Sequence, residues 1–178
     1  MAADVKNEND ERIDWHSAFY DALRLELIED KAYLEFEQEH LFNVNPLRAD
    51  VVVIKKPANV ELKKNIAKIF RGHNIIEFKS PEDHISVSDY IKTLSYPCIY
   101  QQELRVSYTD VTLTLIETAH PTGLLKFFRD VRKFQVEEKY PGVYVVTGEL
   151  FPLQVIESKR LSEEDNFWLK NLSDKLKR

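Results

Sequence analysis

The chain has 178 residues, of which 43% are hydrophobic, and its net charge is −5 at neutral pH. This length predicts one folded domain with a hydrophobic core, and no apolar run is long enough to span a bilayer. The only cysteine, Cys98, excludes an intramolecular disulfide and a multi-cysteine metal site.

The amino-terminal segment lacks the apolar region of a signal peptide. We therefore expect a disordered tail over residues 1–12, a folded domain over residues 13–178 and a cytoplasmic location. The charges are unevenly distributed, because residues 1–39 carry a net charge of −8 whereas residues 55–79 carry a net charge of +5. The basic stretch leaves two interpretations open, a phosphate-facing patch or a solvated surface.

The first half of the chain predicts helices and strands in alternation. Apolar spacing predicts a first helix with Asp14 as its N-cap, and alternating polarity or β-branched runs predict the strands. The predicted elements are a helix over 14–30, a strand over 33–40, a strand that begins at Asp50, a short helix around 60–70 and a strand over 74–79.

The second half begins with Ser86 and Asp89, which are spaced as a helix capping box. Pro97 is expected to kink or end that helix. The elements that follow are a strand over 110–118, a helix over 122–131, a hairpin of strands within 142–148 and 152–158, and a final helix that starts at 162. The whole pattern predicts a single α/β domain with a mixed β-sheet flanked by helices.

Glu77 and Lys79 form an ionisable pair at the end of a predicted strand. Side chains alternate along a strand, so Glu77 and Lys79 share one face while Phe78 points into the core. If the strand that begins at Asp50 is an antiparallel neighbour, Asp50 lies close to this pair. Two carboxylates supply oxygen ligands for Mg²⁺, and a lysine can orient a water molecule and offset charge on phosphorus. This set predicts phosphodiester hydrolysis.

Plainer interpretations also exist for these residues. Glu77 and Lys79 could form a surface ion pair, and Asp50 could cap a turn. The histidines show neither an HxH nor an HExxH spacing, so a zinc site is not predicted.

Asp50 followed by Glu77-Phe78-Lys79, with a helix before and after, resembles the PD-(D/E)XK nuclease superfamily, whose fold is restriction-endonuclease-like. The segments RADVVVIKK and IFRGHNIIEFKSPED are similar to a group of poorly characterised bacterial nuclease-like proteins within it. The resemblance implies that Asp50, Glu77 and the carbonyl of Phe78 bind Mg²⁺ or Mn²⁺ and that Lys79 is the catalytic lysine. The superfamily name expects proline where this chain has Ala49.

Many members of the superfamily also carry a metal-binding glutamate on the first helix. Glu26 is the candidate here, because it follows apolar residues at helical spacing, and Glu29 is its rival. Gln101, Lys55 and Lys56 are candidates for substrate contact.

The resemblance therefore implies a Mg²⁺-dependent nuclease that acts on DNA in the cytoplasm, with a homodimer or a recruiting protein as further expectations. The alternative is a non-catalytic restriction-endonuclease-like module that binds a protein or nucleic-acid partner. The acidic first 39 residues favour the alternative, because a nuclease gains from a positive face.

Overall fold

The computed structural model describes residues 14–38 and 51–172. The predicted tail over 1–12 lies outside these ranges, as do Ala49 and Asp50. The helices and strands, in chain order, are α1 (Trp15–Glu26), β1 (Glu35–Gln38), β2 (Val51–Lys55), β3 (His73–Phe78), α2 (Val87–Leu104), β4 (Val111–Glu117), α3 (Thr122–Lys126), β5 (Gln135–Tyr140), β6 (Val143–Thr147), β7 (Leu153–Glu157) and α4 (Phe167–Asn171).

The strands form one seven-stranded mixed sheet in the order β1-β2-β3-β4-β7-β6-β5. The three central strands β3, β4 and β7 are parallel, and the pairings on either side of them are antiparallel. The predicted α/β domain with a mixed sheet is confirmed. The carboxyl ends of the three parallel strands meet at one edge of the sheet, which is where α/β proteins commonly bind ligands.

The two faces of the sheet carry separate hydrophobic clusters. On one face, Tyr90, Tyr96 and Tyr100 of α2 pack with α3 against the sheet. On the other face, residues of α1 and α4, such as Leu23 and Leu169, pack against it. We call these faces the α2 face and the α1 face. Successive residues of a strand point to opposite faces, so each polar residue of the sheet can be assigned to one of them.

Helix α1 begins as predicted, with the carboxylate of Asp14 accepting hydrogen bonds from the backbone nitrogen and the hydroxyl of Ser17. It ends at Glu26 rather than at residue 30, because the chain tightens into a 3-10 helix over Ile28–Tyr33. The short helix predicted around 60–70 is likewise reduced to one 3-10 turn, Asn65–Ala67.

Helix α2 has the predicted capping box between Ser86 and Asp89. It does not end at Pro97 but continues to Leu104, for a total length of 18 residues. A proline inside a helix costs about 3 kcal/mol, because it removes one hydrogen bond and crowds the preceding turn. Burial of Tyr96 and Tyr100 on either side of Pro97 offsets that cost.

Among the helices of the described ranges, none combines the length and the apolarity needed to cross a bilayer.

The predicted hairpin is confirmed, because β6 and β7 pair antiparallel. Strand β5 was not predicted, since nearly all of its residues are exposed and its sequence QVEEKY lacks an apolar face. Strands β1 and β5 form the two edges of the sheet. Each edge strand carries two glutamates, Glu35 and Glu37 on β1 and Glu137 and Glu138 on β5.

Candidate functional site

Strands β2 and β3 bring the predicted catalytic segments side by side. They pair antiparallel, with Val51 directly opposite Glu77. This register confirms the strand arrangement that the sequence argument required. Asp50 directly precedes Val51 in the sequence, but it lies outside the described residues. Its part in the site therefore stays a prediction.

Glu77 and Phe78 point to opposite faces of the sheet. The ring of Phe78 stacks on Phe19 in the α1-face cluster, with ring centroids 4.2 Å apart. Glu77 consequently points to the α2 face, where it is only 8% exposed. A carboxylate this deeply buried needs nearby polar groups to be tolerated. The predicted alternation of these residues is confirmed.

Lys79 is tied to both neighbouring elements. Its backbone nitrogen donates to the carbonyl of Ile116 on β4 at 2.9 Å, and its Nζ lies 2.9 Å from Oδ1 of Asp89 on α2. Burial alone would raise the pKa of Asp89, but hydrogen bonds from Ser86 and Lys79 outweigh it and lower the pKa to about 2. Asp89 is therefore ionised at neutral pH and holds the lysine as an ion pair.

Within residues 14–38 and 51–172, no group of three or more His, Cys, Asp or Glu side chains is arranged to hold a metal ion. The predicted ligand set includes Asp50, which is not among these residues. Of the predicted ligands, Glu77 supplies a buried carboxylate near the end of β3, and such an oxygen ligand suits a hard cation.

Glu26 is fully buried, but its contacts are with α4 and Lys64. Its Oε2 accepts hydrogen bonds from the backbone nitrogens of Trp168 and Leu169 at 3.0 and 3.1 Å, and Oε1 lies 3.2 Å from Nζ of Lys64. Glu26 thus occupies the amino-terminal end of α4, where a negative charge is stabilising. Its rival Glu29 is exposed and pairs with Lys63.

The candidate substrate contacts lie at the other end of the sheet. Lys55 is paired with His73, the first residue of β3, and Lys56 follows it. Gln101 is next to Tyr100, whose hydroxyl lies 3.0 Å from Nδ1 of His73. The length of β3 separates this end from Glu77 by about 13 Å, at roughly 3.3 Å per residue. These residues could share one ligand with Glu77 only if that ligand runs along the strand.

The basic stretch over 55–79 is largely paired with carboxylates. Glutamates of the acidic amino-terminal part neutralise several of its lysines, which explains the opposite charges of the two segments. The ion pairs are Lys55 with Glu35 and Glu37, Lys63 with Glu29, Lys64 with Glu26, Lys68 with Glu61, and Lys79 with Asp89. The observed pairing does not produce a patch of unpaired lysines in this stretch.

Two further glutamates end the other two parallel strands and were not predicted. Glu117 ends β4 and Glu157 ends β7, and the two residues are register partners. Their neighbours Ile116 and Ile156 pack in the α1-face cluster, so both carboxylates point to the α2 face, as Glu77 does. The sequence signal was present, because each of these apolar strands closes with a glutamate, and β3 carries one at its penultimate position.

Each of these glutamates holds a histidine ring through Nδ1. Glu117 is 1% exposed, and its Oε2 lies 3.3 Å from His84 and accepts a hydrogen bond from the backbone nitrogen of Ile85. Burial raises the pKa of Glu117, while those two contacts act in the opposite direction. Glu157 lies 2.8 Å from Nδ1 of His120. Neither pair follows from the spacing of the histidines, because each ring meets a glutamate that is distant in the sequence.

Comparison with known proteins found no matching family model, no similar curated protein and no similar solved structure. The resemblance to the PD-(D/E)XK superfamily therefore rests on the residues Asp50, Glu77, Phe78 and Lys79 and on the elements that carry them.

Proposed function

We propose that this chain is a metal-dependent phosphodiester hydrolase that acts on DNA and has a restriction-endonuclease-like fold. The observation that supports the proposal most directly is the antiparallel register in which Val51 lies opposite Glu77. Asp50 directly precedes Val51 in the sequence, so the segments that carry the two predicted carboxylates lead into adjacent strands. The helices α1 and α2 flank these strands in the order that the resemblance requires.

Each residue has a separate part in the proposed reaction. Asp50, Glu77 and the carbonyl of Phe78 would hold Mg²⁺ or Mn²⁺, which, when bound, polarises the phosphoryl group and makes a bound water more acidic. Lys79 orients the attacking water and offsets the negative charge that develops on phosphorus. Asp89 positions Lys79 through the 2.9 Å ion pair. We leave Glu26 out of the ligand set, because its carboxylate already contacts Lys64 and α4.

The direct test is cleavage of plasmid and single-stranded DNA by the purified protein in Mg²⁺, in Mn²⁺ and in EDTA. We expect cleavage that depends on the metal and falls by about 100-fold or more in Lys79→Ala and Glu77→Gln, because charge stabilisation and metal binding are lost. Lys63→Ala is the matched control, since Lys63 is an exposed lysine paired with Glu29. Cleavage that persists in EDTA or in Lys79→Ala would contradict the proposal.

One observation favours a second candidate, a non-catalytic module that binds a protein or nucleic-acid partner. The charge of Lys79 is neutralised by Asp89, and several lysines of the basic stretch are paired in the same way. If this candidate is correct, DNA is not cleaved with either metal, and binding to a partner is unchanged in EDTA and in Asp50→Ala.

A further inference from the structure

A three-residue hydrogen-bonded cluster lies at the carboxyl end of β7, and the proposed reaction has not yet used it. Oε2 of Glu157 accepts a hydrogen bond from the hydroxyl of Tyr144 at 3.0 Å and lies 2.8 Å from Nδ1 of His120. The hydroxyl of Tyr144 is also 3.3 Å from the same Nδ1. Burial, followed by the hydrogen bond to Glu157, raises the pKa of Tyr144 to about 12. The tyrosine therefore remains protonated at neutral pH and donates to Glu157.

The geometry of this cluster orients the imidazole of His120. Glu157 is an acceptor, so we assign the proton on Nδ1 to the hydrogen bond with its carboxylate. The second ring nitrogen, Nε2, is then the one that can exchange a proton with a ligand. The side chain of His120 is 46% exposed, whereas that of Glu157 is 12% exposed. A mostly covered carboxylate behind a partly exposed imidazole resembles the arrangement by which enzymes position a histidine for proton transfer.

The cluster lies on the same sheet edge and the same face as Glu77. Val155 packs in the α2-face cluster, and Glu157, two residues later, points the same way. Lys79 is bonded to β4 beside Glu117, and Glu117 is the register partner of Glu157. Strands β3 and β7 are therefore two strand spacings apart, about 10 Å. Lys79 follows β3, and His120, in the loop between β4 and α3, contacts Glu157 at the end of β7. Both side chains therefore belong to one edge of the sheet, which is the placement that contact with a single phosphodiester requires.

We propose that His120 is a further catalytic residue, which donates the proton on Nε2 to the leaving oxygen, and that Glu157 and Tyr144 are positioning residues. This inference rests on the proposed hydrolase function. A bond forms between the water oxygen and phosphorus, the bond from phosphorus to the leaving oxygen breaks, and the proton from Nε2 converts that oxygen into a hydroxyl. The ring is left neutral and keeps its Nδ1 proton, which it donates to Glu157 in a hydrogen bond. The attacking water releases its proton to solvent, from which Nε2 is protonated again.

His84 offers a matched comparison within the same fold. Its Nδ1 also faces a strand-end carboxylate, that of Glu117, but at 3.3 Å and with a more exposed ring. Within residues 14–38 and 51–172, the partners of Glu117 Oε2 are His84 and the backbone nitrogen of Ile85, with no hydroxyl corresponding to that of Tyr144. The cluster at Glu157 has the shorter distance from carboxylate to Nδ1 and a second hydrogen bond. We therefore assign proton transfer to this cluster.

The experiment compares two substrates that differ in their need for a proton donor. The leaving group in DNA cleavage is an alkoxide, which requires protonation. The leaving group in hydrolysis of bis(p-nitrophenyl) phosphate is a stable phenolate, which does not. We expect His120→Ala to lower DNA cleavage by about 100-fold or more and to change hydrolysis of the nitrophenyl ester by less than about 3-fold. Glu157→Gln and Tyr144→Phe should also lower DNA cleavage selectively, by a smaller factor. His16→Ala, on the first turn of α1, is the control and should change neither rate.

The outcomes separate this inference from the function on which it rests. Equal losses on both substrates in His120→Ala, or no loss on either, would overturn the role of His120 while leaving the hydrolase proposal intact. If the wild-type protein cleaves neither substrate with Mg²⁺ or Mn²⁺, both proposals are wrong. Circular dichroism and thermal unfolding of each variant identify a loss of activity that results from misfolding. If another variant misfolds, Tyr144→Phe decides the inference, because it removes one oxygen atom alone.

Discussion

Nζ of Lys79 and Oδ1 of Asp89 lie 2.9 Å apart, so one ion pair joins the end of β3 to the first turn of α2. The same carboxylate accepts hydrogen bonds from the backbone nitrogen and the hydroxyl of Ser86, and so it also caps the helix. Asp89 thus couples the position of the proposed catalytic lysine to the stability of α2.

Asp89→Asn should destabilise the protein by about 1 kcal/mol at pH 6, through a weakened cap and a lost ion pair. The pKa of Asp89 is lowered from 3.8 to about 2 in the folded protein. Its contribution to stability is therefore present above pH 3.8 and is lost as the pH falls toward 2. Urea unfolding at several pH values should show the difference between wild type and variant shrinking over this range. Asp21→Asn, on the exposed face of α1, is the control, and a pH-independent difference would argue against the electrostatic cause.

Glu26→Ala should destabilise the protein by about 3 kcal/mol, because it leaves Lys64 without its buried partner and two backbone nitrogens of α4 without an acceptor. Glu29→Ala should cost less than about 0.5 kcal/mol, since the pair that Glu29 forms with Lys63 is exposed. Urea denaturation curves provide both values. Equal costs for the two variants would contradict the structural role that we assign to Glu26.

Glu117→Gln should make the protein more stable at pH 7. Burial raises the pKa of Glu117, so the folded state favours the protonated carboxyl, and the ionised form is a cost that grows as the pH rises above 4.5. A glutamine is neutral at every pH and avoids that cost. The melting temperature of the variant should exceed that of wild type at pH 7, and the gap should close below pH 4.5. A gap that persists at pH 4 would show that packing, rather than charge, is responsible.

Gly142→Ala should destabilise the protein by about 1–3 kcal/mol, because Gly142 has a φ of 76°, a conformation that residues with a side chain rarely adopt. An added Cβ would also lie 2.6 Å from the backbone oxygen of Glu157. Gly123→Ala is the matched control, since it lies in α3 with no atom within 4 Å of an added Cβ. Thermal unfolding should show a lower melting temperature for Gly142→Ala and an unchanged or higher one for Gly123→Ala.

Local signals in the sequence were sufficient for most of the elements. The Asp14 cap, the Ser86 capping box and the β-branched run of β2 each determine structure through neighbouring residues, and all three appear as predicted. The continuation of α2 through Pro97 could not be predicted, because it depends on tyrosines that pack against distant strands. Strand β5 was missed for the same reason, since pairing with β6 rather than its own pattern makes it a strand.

The sequence was sufficient to predict the part of the site that lies along a single strand. The alternation of Glu77, Phe78 and Lys79 follows from the period of a strand, and the structure has it. The partners of these residues could not be read from spacing, because Asp89, Glu117 and Glu157 belong to α2, β4 and β7, which only the fold brings to the same edge. Only the strand order shows that the glutamates at or next to the ends of three strands share one edge.

The glutamates on the outer strands have a consequence for how copies of this protein meet. An exposed strand can recruit another through its unpaired backbone groups, which leads to aggregation or to a sheet that continues between molecules. Here both edge strands carry glutamates held in ion pairs: Glu35 and Glu37 pair with Lys55, Glu137 pairs with Lys139, and Glu138 pairs with Arg160. An added strand would have to desolvate or displace these pairs, so charged side chains protect both edges against strand addition.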